Sequence, residues 1–299
     1  MRANLIPGLL MLGLLGPACY QKPTLSESWQ LDRLRVLAVK AEPAEAQPGE
    51  DVTFSALVYS PDGEAVPTIW FACLPDSATD FGCDIDPALM DELEGLDPEN
   101  MDPDELAELY AQLVAAGLIG VTPYFEPTWT APAEALDGLD ELAAQEGVSA
   151  VITVQAAPTD AESADDVELA YKRLPISLAE TPNHNPDFVS WTVGGETMED
   201  GATVTVSPGD TLSIAAVIAD DAVEDYVYVD EDGQRETRTE EPYFTWYASD
   251  GEFDDTTTLY PLNAVRFSAP SQASSTTLAV TIRDRRGGMG WATLTVVTE

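Results

Sequence analysis

The chain has 299 residues, a length that fits about two domains, and its 44% apolar content suffices for ordinary cores. Its formal net charge is −41, from 54 acidic against 13 basic residues. That excess argues against nucleic acid as a partner, because phosphates would be repelled, and against adsorption of the bare surface to anionic lipid. No Lys or Arg occurs between Lys40 and Lys172. A surface this acidic must be well solvated or neutralised by cations, and it reads as a solubilising coat suited to a salty medium.

Residues 1–18 have the build of an export signal. Arg2 supplies a basic start, and Leu5 to Leu15 form an apolar run too short to span a bilayer. The run ends in Leu14-Leu15-Gly16-Pro17-Ala18-Cys19, which resembles a bacterial lipoprotein signal. The resemblance implies cleavage before Cys19 and lipidation of that residue, with several acyl chains giving a stable anchor. The alternative is an ordinary secretory signal with an incidental Cys. Residues 19–32 then form a polar tether.

The first unit covers residues 33–180. Arg35 to Lys40 reads as a strand, and Val52, Phe54, Ala56 and Val58 alternate on one face of a second, half-buried one. Pro61-Asp62-Gly63 makes a turn, and Thr68 to Cys73 is a strand bearing Trp70. Beyond Cys73 the period changes. Asp86-Pro87 and Asp102-Pro103 both place an N-cap residue before a first-turn proline. After the second, Leu106, Leu109, Tyr110, Leu113 and Val114 share one helical face, and Gly117 can close the helix. Residues 84 to about 120 are therefore a helical insertion, expected either to cover the sandwich edge or to dock a partner. The sandwich resumes around Tyr124 to Pro132. Glu134 to Glu146 forms a short helix, and strands follow at Val148–Ala156 and Val167–Lys172. Cys73 and Cys83 flank the exit from the Trp70 strand and are expected to form a local disulfide worth about 2–3 kcal/mol. A zinc pair is improbable, since no His or further Cys stands near in sequence.

Asn183-His184-Asn185-Pro186-Asp187 reads as an interdomain linker whose His184, the single His of the chain, is a solvated or capping residue. The second unit covers residues 183–299. Tyr226 to Asp230 and Arg235 to Thr239 flank Asp232-Gly233 as a hairpin. Pro242 to Gly251 is a strand bearing Trp246 that ends in an Asp-Gly turn, and Asp284 to Gly288 is the last hairpin turn.

The two units correspond. Pro48-Gly49 and the alternating stretch to Val58 match Pro208-Gly209 and the stretch to Ile218. Trp70 matches Trp246, and Trp129-Thr130-Ala131-Pro132 matches Phe267-Ser268-Ala269-Pro270. Short strands at even spacing, with a Trp on a central strand, predict a mainly β protein. It would be built of two tandem immunoglobulin-like β-sandwiches, the first with a short helical insertion. Ser207-Pro208-Gly209-Asp210, Trp246 with Asp250-Gly251, and Val280 to Asp284 with Gly287-Gly288 resemble the PKD and cadherin-like branch of bacterial Ig-like domains. The whole arrangement is similar to myxobacterial-type lipoproteins of unknown function with tandem Ig-like domains. That resemblance implies display, adhesion or scaffolding, at the outer membrane or cell surface, with an envelope protein or polysaccharide as partner.

Chemistry is sparse. No Gly-x-Ser-x-Gly, phosphate loop or dinucleotide fingerprint occurs, and one His cannot complete an absent triad. With 54 acids, no single carboxylate pair is informative. The cofactor expectation is therefore none, with Ca²⁺ as the sharp alternative: Asp220, Asp221, Asp225, Asp230 and Asp232 offer hard oxygen ligands in turns, and cadherin-like relatives often bind Ca²⁺. The sequence thus points to a lipid-anchored envelope protein acting as a non-catalytic binding or structural module. Two rivals are a subunit of an envelope assembly docking through the insertion, and an accessory part of a carbohydrate-active enzyme system.

Overall fold

The computed structural model describes residues 26–74, 78–79, 82–83, 102–158, 161, 166–229 and 233–299. In chain order the first unit holds β1 (Arg35–Glu42), β2 (Asp51–Tyr59), β3 (Thr68–Cys73) and two short strands, β4 (Ala78–Thr79) and β5 (Gly82–Cys83). Then come helix α1 (Pro103–Ala115), β6 (Leu118–Thr122), β7 (Thr128–Thr130), helix α2 (Glu141–Glu146), β8 (Val148–Ala156) and β9 (Glu168–Ile176). The sheet β1-β2-β7 faces the sheet β6-β3-β8-β9. Alternation along the strands aims Val39, Val52, Trp70, Ile152, Val154 and Leu174 into one core between them.

The second unit repeats the plan. Its strands are β10 (Phe188–Val193), β11 (Glu196–Met198), β12 (Ala202–Val206), β13 (Thr211–Ile218), β14 (Asp225–Val229) and β15 (Arg235–Thr239). They continue with β16 (Tyr243–Ala248), β17 (Glu252–Phe253), β18 (Thr257–Leu259), β19 (Ala264–Ser268), β20 (Ser274–Arg283) and β21 (Met289–Thr298). The sheets run β11-β10-β13-β19-β17 and β12-β21-β20-β16-β18. Strand for strand, β1-β2-β7 corresponds to β10-β13-β19, and β6-β3-β8-β9 to β18-β16-β20-β21. Even the parallel rung of β12 on β21 has a counterpart, a parallel bridge from Ala46 to Ile176. Trp70 and Trp246 are both buried in the matching cores, and each indole N–H donates to a threonine hydroxyl, Thr68 at 2.7 Å and Thr258 at 3.2 Å. The duplication seen in the sequence is thus a duplication of topology.

The insertion helix starts at Pro103, directly after Asp102, and ends before Gly117, whose φ of +98° and close approach to the Ala72 carbonyl exclude a side chain. Asp86-Pro87 lies outside the described residues, as does the side chain of Leu106. Leu109 and Leu113 are buried against Phe71 and Leu118, whereas Tyr110 and Val114, expected on the same face, are exposed because the sheet contact is only as wide as the Leu109–Leu113 stripe. Phe71 points away from the Trp70 core, so α1 covers the outer face of the sheet rather than its edge. Several boundaries differ from the sequence reading, and β9, for one, runs on past Lys172 to Ile176. Residues 118–120 belong to β6 and pair with β3, so the insertion ends before Leu118. Gly120 hides that strand: a side chain there would meet the Pro127 backbone, so the position is conceded to close packing. The second helix begins only at Glu141, capped by Asp140 accepting from the Ala143 N–H at 2.9 Å, while the preceding residues form turns. Finally, Trp29 to Leu31 are not free tether. They lie along the end of β16, with Leu31 N–H donating to Ala248 O at 2.8 Å, and Leu31 is buried with Leu37, Tyr247 and Ala279. Among the described residues no helix is long and apolar enough to cross a membrane.

Candidate functional site

The two sandwiches meet at a buried polar seam built around the last hairpin turn. Asp284 directly follows β20 and is almost wholly buried, and its Oδ1 accepts from the N–H groups of Arg286, Gly287 and Gly288 at 2.7–2.9 Å. A side chain at Gly288 would collide with Asp284 and with the His184 carbonyl, so only glycine lets the turn close on the linker. The turn projects Arg286. Its Nη1 donates to Glu240 at 3.0 Å and reaches Glu224 at 3.4 Å, while Nη2 donates to the Thr181 carbonyl at 3.1 Å and stands 3.6 Å from Glu45. Glu45 comes from the first sandwich, Glu224 and Glu240 from the second, and Thr181 from the connection. One guanidinium therefore ties three parts of the molecule together, a task its fixed fork of donors suits.

The linker is locked in the same network. Asn183 donates from its backbone N–H to Glu45 at 2.7 Å and from Nδ2 to Asp284 at 2.8 Å. Asn185 donates to Ala41 O at 2.7 Å and Glu42 at 2.9 Å, and its Oδ1 accepts from the Met289 N–H at 2.9 Å. Lys172, 7% exposed, donates to the Gly287 carbonyl. Burial pulls the Lys172 ammonium down to about 8, with Asp284 opposing and Arg283 adding to the fall. Burial pushes the Glu240 carboxyl up; the neighbouring Asp284 adds to this, and the Glu224 N–H and Arg286 oppose it.

A cleft of about 580 Å³ opens beside the network, between α2 and the β14–β15 hairpin. Tyr226, Tyr228 and Arg235 line it from the hairpin, Leu142 and Gln145 from α2. Arg235 bridges the gap, donating to Gln145 at 2.8 Å and Glu180 at 3.0 Å. The Arg286 guanidinium lies 4.5 Å from the Tyr226 ring centre, and that of Arg238 lies 3.5 Å from Tyr228. Each cation of the cleft is therefore already engaged by a carboxylate or a ring face.

The residues singled out from sequence are scattered. His184 is 71% exposed on its side chain, and Nδ1 lies 2.6 Å from Glu224. Among the described residues its ring bonds no hydroxyl or thiol, and it stands outside the cleft. Cys73 and Cys83 form a disulfide with Cα atoms 5.7 Å apart. Asp220 and Asp221 are exposed in the turn after β13, and Asp225 accepts from the Thr239 hydroxyl at 2.5 Å. Asp230, Asp232 and Cys19 lie outside the described residues. Among those described, no group of three or more His, Cys, Asp or Glu side chains is gathered in a form that could hold a metal ion. Sequence reasoning missed the seam of Glu45, Asn183, Glu224, Glu240 and Arg286: it had Asn183 only as linker, Glu224 only as part of an acidic turn and Arg286 only as part of a hairpin turn. The one available signal was scarcity: with so few cations in the chain, any buried one must collect acids around it.

No protein-family model matches the chain, and no curated protein matches it. Several solved structures are similar in part. A nucleoside hydrolase-related hypothetical protein from Saccharophagus degradans, associated with carbohydrate metabolism, is 17% identical over 40% of this chain and 26% of its own, with a TM-score of 0.28. The present chain thus spans about a quarter of that one. The D00-D0 domain of intimin is 7% identical over 89% of this chain and 98% of its own, with a TM-score of 0.24. The fibronectin(III)-like modules of Clostridium thermocellum CbhA are 9% identical over 88% and 94%, with a TM-score of 0.23. At these identities and scores the likenesses carry no functional argument.

Proposed function

We propose that the protein is a lipid-anchored module of the bacterial cell envelope that binds or scaffolds without catalysis. The observation that carries this reading is the seam. Arg286 and the locked linker hold two Ig-like sandwiches in one fixed arrangement, as suits a spacer that presents a surface at a set distance from its attachment. Support also comes from the chemistry at the one imidazole, which is paired with Glu224 rather than with a nucleophile. Cys19, at the end of the apolar leader, is the attachment point, and the outer membrane or cell surface is the location. The insertion helix spends its Leu109 and Leu113 face on its own sheet, which favours a freestanding module over one docking through that face.

Lipid labelling tests the anchor directly. The full-length chain, expressed in a Gram-negative host with labelled palmitate, should take up label and sediment with membranes. Cys19→Ser should lose both properties. Label retained by the variant, or absent from the parent, overturns the reading.

A further inference from the structure

The first sandwich is open along part of an edge on which the second carries its pairing two residues further. β19 runs beside β13 from Thr211 opposite Ser268 to Ala215 opposite Ala264, and the Ala216 N–H continues the ladder to Asn263 O at 3.0 Å. In the first unit β7 accompanies β2 only from Asp51 opposite Thr130 to Thr53 opposite Thr128. The Phe54 N–H donates to Pro127 O at 2.9 Å, and there the pairing on this side ends among the described residues. Proline explains the departure: Pro127 has no N–H to offer, and the close approach of its backbone to Gly120 holds the chain against β6.

Burial differs over the same stretch. Ile214, Ala216 and Ile218 are all buried, whereas of the matching Phe54, Ala56 and Val58 only Phe54 is. Because backbone groups alternate along a strand, the N–H and C=O groups of Ala56 and Val58 face the same side as the Phe54 N–H, towards the vacancy. A groove of about 530 Å³ lies there, lined by Ala56, Val58, Trp70 and Phe125, with Glu64 and Glu126 exposed in its wall. The nearest Lys or Arg in sequence on either side of the stretch from 41 to 171 lies beyond it. In the second unit β19 carries the pairing on to Ala215 opposite Ala264, and its alternating build sets buried Val265 and Phe267 about exposed Arg266.

We propose that the open edge of β2 takes up an extended segment of a partner protein by strand addition, a segment with apolar residues at every second position and Lys or Arg between them. The main chain of the segment completes the ladder at Ala56 and Val58, its apolar side chains fill the groove, and its cations meet Glu64 and Glu126. The proposal deepens the binding-module reading above and rests on it.

The test uses the full-length lipidated protein in detergent and a synthetic peptide alternating Val and Lys. The peptide should bind and slow amide hydrogen exchange at Ala56 and Val58. N-methylation of alternate peptide bonds, which removes ladder hydrogen bonds but no charge, should weaken binding by about tenfold or more. Glu64→Lys with Glu126→Lys, both at exposed positions, should do the same without changing the thermal midpoint. Equal binding by the N-methylated peptide overturns the proposal in favour of general attraction to an acidic surface. Amides at Ala56 and Val58 that are already protected without peptide overturn it too, since a segment of this chain or a second copy would then occupy the edge. Absence of binding overturns it as well, and leaves the palmitate labelling at Cys19 standing or falling by itself.

Discussion

Arg286 concentrates in one side chain the attachment of the first sandwich, the linker and the second sandwich. Its removal would strand Glu240, 1% exposed on its side chain, and Glu45, 10% exposed, in the seam without a counter-charge. Arg286→Met is therefore expected to cost about 3 kcal/mol, read from urea unfolding midpoints. A loss well below 1 kcal/mol would mean that water or proton uptake neutralises the acids instead. Lys172 makes a different test. Its native value near 8 lies below the ordinary 10.5, so between the two the unfolded chain holds more protons than the folded one. Stability through this group rises as pH climbs across that window, while below about 8 the buried ammonium costs a constant amount. The stability of the parent relative to Lys172→Met should accordingly improve from pH 8 to pH 10, and a flat difference would contradict the burial of the ammonium. Neither residue was legible in the sequence as part of a seam. Asp284 to Gly288 was readable as a hairpin turn, but what the turn touches lies 46 to more than 100 positions earlier.

Among the elements, α1 was the most legible and β6 the least. Asp102-Pro103 marks the start of α1, Gly117 its end, and the spacing of Leu109 and Leu113 its buried face, because capping and helical periodicity act within a few residues. Among the described side chains the helix rests on the sheet through that stripe, with the Tyr110 ring 5.7 Å from that of Phe125. Leu113→Ala should cost about 2–4 kcal/mol, while Val114→Ala, at a position 46% exposed, should stay within about 0.5 kcal/mol. Equal effects in thermal or urea melts would refute the packing described. β6 was missed because Leu118, Ile119 and Val121 run on from the apolar positions of the helix, and Gly120 interrupts the alternation. Two-residue strands such as β17 carry no period at all and exist only through their neighbour β19.

At the scale of the whole molecule, charge and duplication set the behaviour. A net charge of −41 confined to a folded volume repels itself, and salt screens that repulsion more than it screens the expanded unfolded chain. The urea midpoint should therefore rise as NaCl is increased from about 10 mM to about 1 M, where the screening length falls to roughly 3 Å. A fall would mean that attractive ion pairs such as those of Arg286 outweigh the general repulsion. The duplication also exposes what differs between the copies: beside β7 the pairing stops at Pro127, two residues short of where β19 carries it in the second sandwich.

By itself the sequence determined most of the longer strands, the two Trp-centred units, their correspondence, the span of α1 and the pairing of Cys73 with Cys83. All of these rest on local periodicity, turn chemistry or direct comparison of two stretches. Only the tertiary structure decided which acids surround Arg286, that Asn183 of the linker is buried, that Trp29 to Leu31 dock on β16, and that no strand among the described residues pairs β2 at Ala56 and Val58 on the β7 side. Those outcomes depend on which distant surfaces come together, and alternation along a strand says which face is apolar but not what will cover it.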